Sequence, residues 1–90
     1  TVATLRRSGH PLLADGYSAL ASGDVAGARR RFRSLAEQGL PEAALALGST
    51  YDPVNARGGD ADTVADRERA KHWYRRAIEL AQAATGGPQP

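Results

Sequence analysis

Ala28-Arg29-Arg30-Arg31-Phe32-Arg33-Ser34-Leu35 and Ala70-Lys71-His72-Trp73-Tyr74-Arg75-Arg76-Ala77 carry one pattern of apolar positions twice, the second copy displaced by 42 residues. In each, a small residue is followed four positions later by an aromatic ring and three further on by an aliphatic side chain. Those spacings put all three on one face of a helix, whose period is 3.6 residues. Upstream of each copy an apolar run holds a glycine, Gly16 and Gly48, 32 residues apart. The displacements differ by ten residues, and the excess falls between Tyr51 and Ala70. An internal repeat of this period points to a helical array, a fold that presents a surface, rather than to a catalytic fold.

Working outward, punctuation residues bound four helices. Pro11 suits a first helical position, where its missing N–H is no loss. The first helix is predicted over Pro11 to Ser22, with Leu12, Leu13, Gly16, Ala19 and Leu20 as its apolar stripe. Gly23 ends it, and Asp24 is a good N-cap for the second. That helix turns Ala28, Phe32, Leu35 and Ala36 inward, with Arg29, Arg30 and Arg33 pointing elsewhere and Arg33–Glu37 as an i,i+4 pair outside. Gly39 stops it. Pro41 opens the third helix, with Ala44, Leu47, Gly48 and Tyr51 inward, and Asp52-Pro53 closes it. Residues 53–62 are polar and Gly-rich and are expected to be a loop. Thr63-Val64-Ala65-Asp66 is similar to a capping box with Asp in place of Glu. The fourth helix is predicted over Val64 to Ala83, with Ala70, Trp73, Tyr74, Ala77, Ile78 and Ala81 as its stripe. Residues 1–9 are expected to be a linker and 84–90 a disordered tail.

The first half, through Gly16, Gly23-Asp24, Ala28 and Phe32, resembles a tetratricopeptide repeat. The second half, Ala44-Leu45-Ala46-Leu47-Gly48-x-x-Tyr51 then Asp66-x-x-Arg69-Ala70-x-x-Trp73-Tyr74-x-x-Ala77, resembles the Sel1-like variant and is the stronger match. The departure is the 52–63 stretch, which is longer than the family's turn and lacks the Val after its glycines. The resemblance implies an all-α fold of four helices: two antiparallel helix hairpins, 10–39 and 40–83, stacked as a right-handed α-solenoid superhelix. It implies that Gly16 and Gly48 let the partner helix come close, with Phe32 and Tyr74 filling the space and Ala28 and Ala70 at the tightest crossing. It also implies that Trp73 packs toward a following repeat.

Composition narrows the function. Without Cys there is no disulfide framework and no thiolate chemistry. Twelve basic residues against ten acidic ones give a net charge of +2, too balanced to imply nucleic acid by itself. No apolar run is long enough to span a bilayer, so no membrane contact is expected. The chain begins with Thr rather than Met and is expected to be a piece of a longer protein. Localisation is not legible in such a piece.

The chemical-looking residues each have a plainer reading. His10 and His72 lack companion ligands. Four arginines in Arg29-Arg30-Arg31-Phe32-Arg33 fan around a helix, so most belong to a solvated face. Asp52, Asn55, Asp60 and Asp62 do not have the spacing of a calcium loop. No Ser sits in an elbow motif. No cofactor, metal or catalytic residue is therefore expected. What remains is a surface. The resemblance implies that the first helix of each hairpin lines a concave wall, which makes Leu13, Tyr17, Leu20, Glu42, Leu45, Ser49 and Asp52 the candidate contacts for a protein or peptide. Tyr17 is the leading one, since an exposed Tyr offers large contact area at low entropic cost. A plainer role for Leu13, Leu20 and Leu45 is to pack the first helix on the third. The chaperone-binding branch of the family holds a terminal carboxylate with Lys and Asn; Leu13 and Tyr17 stand there instead, so that partner is not expected. Trp73 and Ile78 on the last helix are candidates for weak self-association. The expected function is a non-catalytic scaffold or adaptor module. The rivals are a nucleic-acid-binding domain using Arg29, Arg30 and Arg33, or a regulatory domain beside an enzyme.

Overall fold

In the computed structural model, residues 11–52 and 64–86 are described; they form four α-helices, with no strand among the described residues. The helices are α1 (Pro11–Ala21), α2 (Val25–Glu37), α3 (Pro41–Tyr51) and α4 (Val64–Gly86). Each packs on the next in sequence. The long-range contacts show successive helices running in opposite directions. Arg29, early in α2, meets Thr50, near the end of α3, and Tyr51 at the end of α3 meets Arg69 in the first half of α4.

One three-residue link is used twice. After α1, Gly23 N–H donates to Leu20 O at 3.0 Å and Asp24 N–H to Ala19 O at 2.8 Å. After α2, Gly39 N–H donates to Ala36 O at 2.9 Å and Leu40 N–H to Leu35 O at 3.1 Å. This paired closure needs a left-handed residue, and Gly23 and Gly39 supply it with φ of +90° and +98°. The residue that completes each closure also starts the next helix. Asp24 accepts a hydrogen bond from Gly27 N–H at 2.9 Å, the N-cap predicted for it. Leu40 precedes Pro41 and packs on the core beside Leu35. With no slack in the link, the chain has to double back.

The core is small and rich in alanine. Phe32, Leu35 and Leu47 are its largest fully buried side chains, and Ala28, Ala36, Ala43, Ala44 and Ala46 surround them. The two expected crossings are present. A Cβ placed on Gly16 would stand 2.8 Å from Phe32 Cδ1, and one on Gly48 would stand 2.7 Å from Tyr74 Cδ1 and 3.2 Å from the Ala70 carbonyl oxygen.

Four details differ from the predicted stripes. Leu12 is 48% exposed, so the inward face of α1 is Leu13 and Gly16. In α4 the buried row runs Ala70, Ala77, Leu80, while Ile78 is 59% exposed and Ala81 is exposed. A step of three from Ala77 keeps to the same face as well as a step of four, and Leu brings more apolar area than Ala. Trp73, expected to pack toward a following repeat, is half-buried against this chain's own core, with the Arg33 guanidinium of α2 5.4 Å from its ring centre. Arg33 accordingly makes no ion pair with Glu37 among the described residues. α4 continues through Gly86, so residues 84–86 of the expected disordered tail are helical. Thr63 and most of the 52–63 stretch lie outside the described residues, as do the 1–9 and 87–90 segments; Asp66 bonds to Arg69 at 3.0 Å.

Candidate interaction surfaces

The seven residues expected to line a binding wall divide by burial. Tyr17 is 50% exposed and Leu45 55% exposed, and Glu42 is also exposed. The Tyr17 ring is not loose: its centre lies 5.2 Å from that of Phe32 in an edge-to-face arrangement, which fixes it while leaving its outer side in solvent. Leu20 is half-buried against the core. Ser49 is half-buried and its hydroxyl donates to Ala46 O at 2.7 Å. Leu13 is only 7% exposed and belongs to the core, so it offers no surface. Asp52 is occupied within the fold, accepting a 2.7 Å hydrogen bond from the Tyr74 hydroxyl.

That last bond belongs to a cluster at the end of α3. Arg29 Nη2 donates to Thr50 O at 2.6 Å and Arg29 Nε to Thr50 Oγ1 at 3.0 Å, and the guanidinium lies 4.0 Å from the centre of the Tyr51 ring. Arg69 stands 5.8 Å from the same ring. The final carbonyls of a helix lack intrahelical partners and carry partial negative charge, so a cation bonded to one answers both deficits. Arg29 was expected to point away; it is a cap for the neighbouring helix. The sequence signal for it is faint, an Arg three residues before a core aromatic. Burial and the hydrogen bond to the Asp52 carboxylate, with the negative charge of that group, push the Tyr74 hydroxyl up from 10.0 to about 12.

The remaining basic residues of α2 are also placed. Arg31 Nη1 donates to Gly27 O at 3.0 Å. Arg30 and Arg31 border an open groove completed by Leu12, Ser34 and Leu35. On α4, Arg69–Asp66, Lys71–Glu68 and Arg76–Glu79 are exposed i,i+3 pairs of little energetic weight. The His72 ring packs edge-on against Trp73, 4.9 Å between centres. Among the described residues, no group of three or more His, Cys, Asp or Glu side chains is placed to hold a metal ion. No helix is long and apolar enough to cross a membrane, again among the described residues. His10, Asp60 and Asp62 lie outside them.

Comparison of the chain with protein-family models, with curated proteins and with solved structures finds no match.

Proposed function

We propose that this chain is a non-catalytic protein-interaction module of the Sel1-like and tetratricopeptide kind, two helix hairpins stacked as a short right-handed solenoid, binding a peptide or protein on α1 and α3. The observation that carries this reading is the repeated crossing. Gly16 admits Phe32, and Gly48 admits Tyr74, at matching places in the two halves. A repeat of one hairpin serves surface presentation, because each copy offers the same face. On that face Tyr17 and Leu45 supply exposed apolar area beside the acidic Glu42. Of the three arginines on which the rival nucleic-acid reading relies, Arg29 is engaged at Thr50 and the exposed Arg33 lies against the Trp73 ring, which leaves Arg30 without such a contact among the described residues.

A displayed random-peptide library panned against the immobilised protein tests the reading. Enriched peptides are then measured against the Tyr17→Ala/Leu45→Arg double variant, with circular dichroism confirming that the variant is folded. Peptides that lose binding to the folded variant support a site on α1 and α3. Peptides that bind parent and variant alike, or a library from which nothing is enriched, overturn it.

A further inference from the structure

The arginine run of α2 splits to two sides of its helix. Arg29 and Arg33, four residues apart, go to the aromatic rings of Tyr51 and Trp73. Arg30 and Arg31 go instead to the groove between α1 and α2, about 360 Å³ in volume, with Leu12, Ser34 and Leu35 as the rest of its lining. Leu12 is 48% exposed there, an aliphatic side chain left beside two cations. Arg31 is tied back to Gly27 O through a single nitrogen, which holds its guanidinium in place and leaves other N–H donors over. Arg30 has no hydrogen-bond or ion-pair partner among the described residues. Among the described residues, no acidic side chain lines the groove.

We propose that this groove binds an acidic peptide segment in which an aliphatic residue neighbours a carboxylate. The aliphatic side chain seats on Leu12, and the carboxylate is held by Arg30 and Arg31, with the Ser34 hydroxyl as a further polar contact. Charge complementarity selects the occupant. Two guanidiniums with no acid among the described lining residues call for an anion, and a guanidinium fork matches a carboxylate. The exposed leucine calls for an apolar neighbour to that anion. A nucleic-acid strand fits less well, because the described lining holds no aromatic ring for a base to stack on and two cations to follow a phosphate backbone. The site is separate from the α1/α3 surface proposed above and does not depend on it.

Fluorescence anisotropy tests the assignment with a short fluorescein-labelled peptide of alternating leucine and glutamate, once with a free terminal carboxylate and once amidated. Saturable binding of either is expected, and the pair shows whether a terminal or a side-chain carboxylate is preferred. Arg30→Glu/Arg31→Glu and Leu12→Ser are each expected to weaken it about tenfold or more, the scale of losing a charge-assisted contact. Arg75→Glu/Arg76→Glu, which makes the same change of charge on α4, and Tyr17→Ala/Leu45→Arg are expected to leave it unchanged. Circular dichroism checks that each variant is folded. The proposal is overturned if no peptide binds saturably, if the α4 control weakens binding equally, or if a leucine–lysine peptide binds as well. It also fails if a single-stranded RNA oligomer displaces the peptide at lower concentration.

Discussion

Phe32 lies in the space that a side chain on Gly16 would occupy: the missing Cβ would meet the ring at 2.8 Å from Cδ1 and closer still to Cε1. Phe32 is fully buried by this contact, so the absence of a side chain on one helix is what seats the largest core side chain of the next. Gly16→Val is expected to overpack the crossing and cost about 1–3 kcal/mol, and Phe32→Ala to open a cavity costing about 3–5 kcal/mol. Urea denaturation followed by circular dichroism reads both. In a chain whose whole stability is roughly 5 kcal/mol, Phe32→Ala should retain only about 0–2 kcal/mol and be up to half unfolded at 25 °C. An unperturbed midpoint for Gly16→Val would mean that α1 and α2 do not cross this closely.

The same argument applies to Gly48, with a harder stop. A Cβ there meets the Tyr74 ring and also the Ala70 carbonyl oxygen at 3.2 Å, and backbone cannot swing aside as a side chain can. Gly48→Leu is expected to cost about 1–3 kcal/mol, toward the upper end of that range. A double variant with Tyr74→Ala should recover part of the cost, the share set by the ring at 2.7 Å, while the 3.2 Å backbone contact remains. Full recovery would assign the whole cost to the ring.

Arg29 joins α2 to the last turn of α3 through Thr50, and Arg29→Ala should therefore loosen an element it does not belong to. Loss of charge-assisted bonds to a part-buried carbonyl is expected to cost about 1–2 kcal/mol. Arg29→Lys should restore only part of it, since a single ammonium cannot bond both Thr50 oxygens while lying flat on Tyr51. Amide hydrogen exchange gives the discriminating result: faster exchange at the end of α3 in Arg29→Ala, with α1 unchanged. Faster exchange spread evenly over all four helices would contradict the capping role.

Boundaries and crossings were legible because the residues that make them act locally. Gly23 and Gly39 sit where a left-handed residue closes a helix, Asp24 and Pro41 where one begins, and each signal lies within a turn of its effect. Assignments that depend on a third helix were not legible. Leu13 and Leu45 look alike as leucines near the start of a helix, yet one is 7% exposed and the other 55%, because burial is decided by which neighbour arrives. Arg33 had a good partner in its own helix in Glu37 and took the ring of Trp73 on another. A charge at i+4 is worth only a few tenths of a kcal/mol in water, so a part-buried aromatic face competes easily.

Self-association through α4 makes a separate prediction. With Trp73 half-buried against the core, the apolar part of that helix left in solvent is chiefly Ile78, 59% exposed, with Val64 at its start. So small a patch supports weak pairing only. Static light scattering is expected to show a mass rising above one chain only at high concentration, and Ile78→Arg should abolish the rise. A mass equal to one chain at the highest concentration tested would remove α4 as a contact between copies.

The Tyr74–Asp52 bond sets an alkaline limit on stability. Folding raises the Tyr74 hydroxyl from 10.0 to about 12, chiefly by burial and then through Asp52. Below pH 10 the group is protonated in both states, and the contribution is fully present. Between pH 10 and about 12 the unfolded chain has lost the proton while the folded one keeps it. The unfolded state then binds fewer protons, so stability must fall as pH rises through that window. The loss is one of linkage and leaves neutral pH untouched. Tyr74→Phe should flatten this part of the profile, while its cost near neutrality reports only the missing hydrogen bond. Urea midpoints for the two proteins from pH 8 to 12 are expected to converge as pH rises. Parallel profiles across the range would show that Tyr74 titrates alike in folded and unfolded chains, and that the hydroxyl does not hold its proton through Asp52.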